Sequence, residues 1–371
     1  MNKLQMTAPC HFGLEKTLAF EIKQAGGENL ETTDGRINFS GTTDVLVRAN
    51  ISCRTAERIG VVLARFRAET FDDVFDTVKR LPVGEYLPRD AAFPVTKGQS
   101  VNSKLTSIPA LQRTVKKALA EAMSAAYKNA TLPESGAVYS VRFFLHKDEF
   151  TLFLDSSGEG LHKRGYRRNA GIAPIKETLA AGIIDIARVK VDNCVIDPFC
   201  GSGTILIESA MKALRIPPGL NRRFSAEKWA FVPKSAWHEQ RELLKANILP
   251  ESDFAAIGYD IDPECVKLTL TNARKAGVDK YVRAETRAIA AFEYPERDTR
   301  TVVITNPPYA ERMLEKADTQ RIYREMGQRF GRGHELFIIT SDAGFEAQFG
   351  REAKKNRKLY NGMLMCRLYT F

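Results

Sequence analysis

The stretch from about residue 157 to the end sets the tightest limit on what this chain can fold into. Short apolar runs alternate there with helix-patterned segments: Cys194–Asp197, Ala255–Asp260, Tyr281–Thr286, Thr301–Asn306 and Glu335–Thr340. Such alternation predicts a parallel, doubly wound α/β sheet, in which ligands sit outside the carboxyl ends of the strands. The helix after the second run is well punctuated: Asp262 is placed to cap it, Pro263 to start it and Gly277 to stop it in a left-handed conformation. The pattern then changes. Lys355–Tyr360 and Met363–Phe371 read as strands joined by Asn361-Gly362, the residue pair a tight hairpin favours. A nicotinamide-binding fold would instead continue as parallel βα units.

Residues 1 to about 156 have another rhythm and contain no phosphate loop. Leu14, Leu18 and Ile22 mark one face of a helix over Phe12–Lys23, and Gly26-Gly27 ends it. Asp34-Gly35 predicts a hairpin, and Pro109–Tyr127 a second helix with Leu111, Val115, Leu119 and Met123 in register. Val138–Leu145 and Phe150–Leu154 form another hairpin around His146–Glu149. One or two small α+β modules are expected, with no constellation able to do chemistry.

At 371 residues, with 44% apolar and 27% charged residues, the chain has the composition of an ordinary multidomain globular protein. No run approaches the roughly 18–20 uncharged apolar residues of a membrane span. The first residues lack the apolar region and cleavage site of a signal peptide. The six cysteines are scattered without a Cys-x-x-Cys or His/Cys cluster, so free thiols, no metal site and a cytoplasmic location are expected. Lys and Arg number 55 against 45 acids, a net charge of +10, which suits a polyanionic partner. Two dense clusters stand out, His162, Lys163, Arg164, Arg167, Arg168 and Arg351, Lys354, Lys355, Arg357, Lys358. Arg54, Arg113, Lys116 and Lys117 are the expected grip on nucleic acid in the amino half.

Three strand-end motifs carry the chemistry. Asp197-Pro-Phe-Cys-Gly201-Ser-Gly203-Thr204 opens a helix. Its glycines allow close backbone approach of a ligand. It lacks the Gly-Lys-Ser/Thr of a phosphate loop and the third glycine of a dinucleotide fingerprint. It suits an amino acid joined to a nucleoside, its ammonium near Asp197. In Gly258-Tyr-Asp260-Ile261-Asp262, Asp260 is placed to accept both ribose hydroxyls, since Asp262 is needed as a cap. Asn306-Pro307-Pro308-Tyr309 follows the fourth run. An exocyclic purine amine is a poor nucleophile, because its lone pair is delocalised into the ring. The Asn306 side-chain carbonyl and the Pro307 backbone carbonyl can each accept one N–H and aim that lone pair. The prolines hold the cradle rigid and Tyr309 offers a stacking face.

In this order the motifs resemble those of the class I S-adenosylmethionine-dependent amino-methyltransferases. Leu161–Arg167 and Ala173–Ala181 resemble the segment that opens the catalytic domain of THUMP-domain RNA methyltransferases, and Arg48–Arg54 and Ile108–Gln112 resemble the THUMP module. Within that family the nearest likeness is the guanine-N2 methyltransferase half of the bifunctional large-subunit rRNA enzyme; stand-alone relatives are often labelled N6-adenine DNA methylases. The resemblance implies a doubly wound Rossmann-like α/β methyltransferase sheet with a C-terminal antiparallel hairpin, preceded by an α+β ferredoxin-like/THUMP RNA-binding region. It divides the chain into a ferredoxin-like segment at 1–43, a THUMP-like domain at 44–156 and a catalytic domain at 157–371. It implies S-adenosyl-L-methionine held by Asp197, Gly201, Gly203, Thr204, Asp260 and Ile261, and catalysis by Asn306, Pro307, Pro308 and Tyr309. RNA, most directly 23S rRNA methylated at guanine N2, is the expected partner. Adenine-N6 methylation of DNA and a non-catalytic RNA-binding ribosome-assembly role are the alternatives. One position departs from the family, which often has an acid in the loop after the third strand. Arg287–Phe292 offers none, which leaves backbone atoms or Glu293 to read the cofactor's adenine.

Overall fold

Two seven-stranded sheets organise the chain. The structure, a computed structural model, describes residues 3–128, 131–167, 175–308, 316–362 and 364–371. The first sheet is built from β1 (Leu4–Pro9), β2 (Glu28–Thr33), β3 (Arg36–Gly41), β4 (Gly60–Arg67), β5 (Val95–Val101), β6 (Val141–His146) and β7 (Glu149–Asp155), in the order β2-β3-β1-β4-β7-β6-β5. The helices among these strands are α1 (Glu15–Gln24), α2 (Thr43–Ser52), α3 (Phe71–Lys79) and α4 (Ile108–Tyr127). Both hairpins foreseen in the amino half are present. Gly35 turns the first at φ +68°, and Lys147 and Asp148, at φ +52° and +64°, turn the second as a two-residue loop. The helix expected from Phe12 begins only at Glu15, because the Glu15 carboxylate accepts the N–H groups of Gly13 and Gly35 and holds the preceding residues out of the helix.

The amino half is one continuous sheet. Strand β4 pairs with β7 along its length and with β1 through Met6↔Val61 and Thr7↔Gly60. So short a long-range pairing leaves no periodic trace in the sequence.

The second sheet contains β8 (Cys194–Asp197), β9 (Ala255–Asp260), β10 (Val282–Thr286), β11 (Thr301–Thr305), β12 (Glu335–Thr340), β13 (Lys355–Asn361) and β14 (Leu364–Thr370). Around it lie α5 (Glu177–Ile186), α6 (Thr204–Ala213), α8 (Pro263–Ala276), α9 (Lys316–Arg329) and α10 (Phe345–Phe349), whereas α7 (Lys234–Ala246) packs on α2 of the amino half, with Ala236 and Trp237 in that half's core. The order is β10-β9-β8-β11-β12-β14-β13; the first five are parallel and β14 runs antiparallel to both neighbours. This is the doubly wound sheet with a terminal hairpin that the sequence predicts. All four residues of β8 and the last four of β11 are buried, as strands covered by helices on both faces must be. The strand order reverses between β8 and β11, so a crevice opens at their carboxyl ends.

The cluster at His162–Arg167 is not the exposed phosphate patch its density suggests. Arg164 is buried, 3.3 Å from Glu208, and donates to the Leu161 carbonyl at 2.6 Å. Arg167 pairs with Glu177 at 2.9 Å, and Lys163 meets Glu159 at the surface. Burial pushes the His162 imidazole down to about 4, so it is neutral near pH 7. Arg54, expected to grip nucleic acid, donates to the carbonyls of Met211 at 2.9 Å and Ile216 at 2.6 Å. A buried cation must be paired, and these charges form a seam between the amino half and the second sheet. Arg168 lies outside the described residues.

Candidate active site

Strand β8 delivers Asp197 to the crevice at 2% exposure. Its Oδ1 accepts from the Thr305 hydroxyl at 2.6 Å and from the Phe199 N–H at 3.1 Å. Burial pushes the carboxyl up to about 7 and the Asp260 charge adds to the rise, while those two hydrogen bonds oppose it. The chain then turns into α6 through Gly201 and Gly203, at φ +52° and +79°, a region other residues enter at a cost. A Cβ on Gly203 would stand 2.8 Å from Thr269 Cγ2, whereas one on Gly201 would meet nothing within 4 Å. The loop is therefore closed below and open at Gly201. Thr204 is the first residue of α6, buried, and its hydroxyl accepts from Arg167 Nη1 at 3.2 Å.

Asp260 ends β9 and locks to the same loop. Its Oδ2 accepts the Gly201 N–H at 2.9 Å and its Oδ1 the Asp262 N–H at 3.0 Å. Each carboxylate oxygen has two acceptor sites, so capacity for two hydroxyls remains. Asp262 has the separate duty foreseen for it, accepting from the Glu264 N–H at 2.9 Å to cap α8, and Gly277 ends that helix at φ +72°. Between the two acids, Ile261 stands 75% exposed, an apolar side chain left uncovered beside the carboxylate. The loop after β10 is tied back by the Arg287 N–H to the Asp260 carbonyl at 2.9 Å, and Glu293 is exposed beyond the short helical turn Ile289–Ala291.

Asn306 follows β11 and is half-buried, with Pro307 buried and Pro308 half-buried behind it. Thr305, one residue earlier, makes the hydrogen bond to Asp197. The Asn-Pro-Pro turn and the glycine loop are thus neighbours across the strand reversal. Tyr309 lies outside the described residues. Among the described residues, no cluster of three His, Cys, Asp or Glu could hold a metal. The open side of Gly201, the uncovered Ile261 and the two strand-end acids fit an amino acid joined to a purine nucleoside.

Residues that the motifs did not reveal hold this loop in place. Thr269 donates to the Gly201 carbonyl at 2.9 Å and Asn272 to the Ser202 carbonyl at 3.0 Å. Both are on α8 and at most 1% exposed. Their trace in the sequence is a pair of polar residues three apart on the helix's buried face.

Comparison with known proteins agrees with this geometry. The UPF0020 family, described as an RMKL-like methyltransferase domain, matches residues 164–370; an RlmL ferredoxin-like domain matches 5–60 and a THUMP domain 68–155. The chain is 38% identical to YpsC of Bacillus subtilis (strain 168), provisionally named an RNA methyltransferase, over 100% of this chain and 96% of that protein. It is 34% identical to the ribosomal RNA large subunit methyltransferase K/L of Methylococcus capsulatus (strain Bath), over 97% of this chain but about half, 50%, of that longer protein. The crystal structure of SMU.472, a provisionally named methyltransferase complexed with SAH, superposes with a TM-score of 0.92 at 35% identity, covering 100% of this chain and 98% of that one. With a THUMP domain ahead of a UPF0020 catalytic sheet, the chain belongs to the THUMP-domain, RMKL-like family of S-adenosylmethionine-dependent methyltransferases.

Proposed function

We infer that this protein methylates an exocyclic purine amine of RNA, most directly guanine N2 of 23S rRNA. The observation that carries the reading is the Thr305–Asp197 hydrogen bond, which brings the Asn-Pro-Pro turn beside the glycine loop. The methyl donor, S-adenosylmethionine, supplies an electrophilic methyl on a sulfonium. Asp197 faces the donor's ammonium, Asp260 accepts its ribose hydroxyls, Ile261 covers its purine, and Gly201, Gly203 and Thr204 shape the loop on which it lies. Asn306 Oδ1 and the Pro307 carbonyl take the two N–H groups of the target amine, and Pro308 keeps the turn rigid. Tyr309 stacks on the target base. Much of the acceleration then comes from alignment, and the amine proton leaves to solvent once nitrogen is alkylated. The amino half, with its THUMP domain, presents the RNA. The relatives' names point to RNA and rRNA; the cradle accepts either exocyclic purine amine, and guanine N2 is taken from the likeness to the guanine-N2 half of the bifunctional large-subunit enzyme.

The test is transfer by the purified protein onto rRNA extracted from a strain lacking it, with duplex DNA in parallel, followed by nucleoside mass spectrometry. The reading requires N2-methylguanosine in the 23S fraction. Appearance of N6-methyladenine in the DNA instead would replace it with the DNA-methylase alternative, and no transfer to either would favour a binding role.

A further inference from the structure

The second cationic cluster behaves differently from the first. Lys355, Arg357 and Lys358 lie on β13, the outer strand of the catalytic sheet, and all three are exposed. Among the described residues no carboxylate pairs with any of them. Arg357 Nη1 donates to the Gly13 carbonyl at 3.2 Å, and Lys358 Nζ stands 5.5 Å from the Tyr360 ring centroid.

Register places this strand relative to the amine site. Thr305 lies opposite Ile338, Ile338 opposite Tyr369, and Tyr369 opposite Asn356. Asn306 is therefore level with Arg357, three strand spacings or about 14 Å across the sheet. Thr340, the last residue of β12, lies opposite Arg367, which lies opposite Lys358. Tyr360 thus overhangs the crevice end of the sheet by two residues, about 7 Å. Its ring meets Phe12 of the amino half edge-on, at 6.1 Å and 87°, and Phe12 remains 47% exposed. The approach depends on Gly13, at φ +90°, where a Cβ would come within 2.9 Å of the Lys358 carbonyl.

Cations alone on an edge strand have a plain explanation, because they discourage sheets from pairing edge to edge. That explanation needs no aromatic pair with one ring exposed at the strand's end. Positive charge along an edge strand that ends beside one exposed ring, Phe12, and one half-buried ring, Tyr360, is an arrangement by which single-stranded nucleic acid is held, phosphates on the cations and bases on the rings. We propose that β13 and the Phe12–Tyr360 pair form a track for single-stranded RNA that leads into the amine site from the hairpin side. The inference rests on the RNA reading above and adds the path the strand takes. It assigns Phe12, from the amino half, a direct contact with a base flanking the target.

The experiment is fluorescence anisotropy of the full chain with a fluorescein-labelled single-stranded oligouridylate, titrated over a range of KCl concentrations. Lys355→Glu with Lys358→Glu should raise Kd by tenfold or more and flatten the log–log salt slope by about 1.4, roughly 0.7 for each lost phosphate contact. Phe12→Ala should raise Kd by about fivefold or more with the salt slope unchanged. S-adenosylhomocysteine affinity should stay the same in every variant. Wild-type Kd and slope in the charge-reversed protein would overturn the track. So would a Lys355→Ser, Lys358→Ser protein that self-associates yet binds the oligouridylate normally, since the lysines would then only protect the edge. The probe contains no purine amine, so this result is separate from the methylation target. Loss of grip with no methylguanosine formed would keep the track and discard the proposed reaction; intact grip with methylation retained would do the reverse.

Discussion

Asp197 carries a conflict between burial and charge. Its carboxyl is raised to about 7 mainly by burial. A raised folded-state value means that the folded protein favours the protonated form. The unliganded protein is then helped by this group at low pH and loses that help as pH rises from about 4 through 7. An ammonium placed against the carboxylate reverses the preference. S-adenosylhomocysteine should therefore bind with proton release, its affinity rising up to tenfold per unit below pH 7 and levelling above it. Calorimetry in buffers of differing ionisation enthalpy measures this, and Asp197→Asn should abolish the pH dependence. Strand-end acids such as Asp197 and Asp260 were legible because their position follows from the strand pattern. Thr305 was not, because its role is a hydrogen bond between strands 108 residues apart in sequence.

Helix α8 shows how an element serves the site without touching a ligand. Asp262, Pro263 and Gly277 set its ends, all three readable from local rules. Its inward residues Thr269 and Asn272 fasten the glycine loop through carbonyls that no motif identifies. Asn272→Leu leaves the Ser202 carbonyl without its partner in a buried place, at a cost of about 1–3 kcal/mol. A melting temperature lowered by several degrees, with severalfold weaker S-adenosylhomocysteine binding, is the expected outcome. Unchanged cofactor binding at reduced stability would show that the loop holds its shape without α8. The amino-half sheet was less legible. Its hairpins follow from Asp34-Gly35 and the His146–Glu149 turn, but the joining of β1 to β4 is a tertiary match of two residue pairs.

At the scale of the molecule, the two sheets are joined by buried charge. Arg164 and Glu208, with side chains 1% and 0% exposed, meet in the seam, and Tyr166 adds a hydrogen bond to Glu208 at 3.1 Å. A list of basic residues cannot separate such a pair from a solvated cluster, since the difference lies in what faces it. Arg164→Met should destabilise the whole chain by about 3–5 kcal/mol by stranding Glu208. Denaturant unfolding measures this, and a companion Glu208→Leu exchange should recover much of the loss. The seam also bears on any attempt to separate the halves. Leu14 of the amino half is fully buried in the hydrophobic core of the catalytic sheet, and Arg54 binds the Met211 carbonyl in the last turn of α6 and the Ile216 carbonyl just beyond it. A chain starting at Leu161 is expected to be insoluble rather than a free-standing cofactor-binding domain, which expression and light scattering would check. The central claim, that the Asn-Pro-Pro turn activates a guanine amine, is tested most directly in a deletion strain by quantifying N2-methylguanosine in 23S rRNA. Wild-type protein should restore the nucleoside, whereas Asn306→Ala, accumulating normally and binding S-adenosylhomocysteine with near wild-type affinity, should lower kcat by roughly 10²-fold and leave the site largely unmethylated. Full restoration by Asn306→Ala, at wild-type rate, would contradict the account.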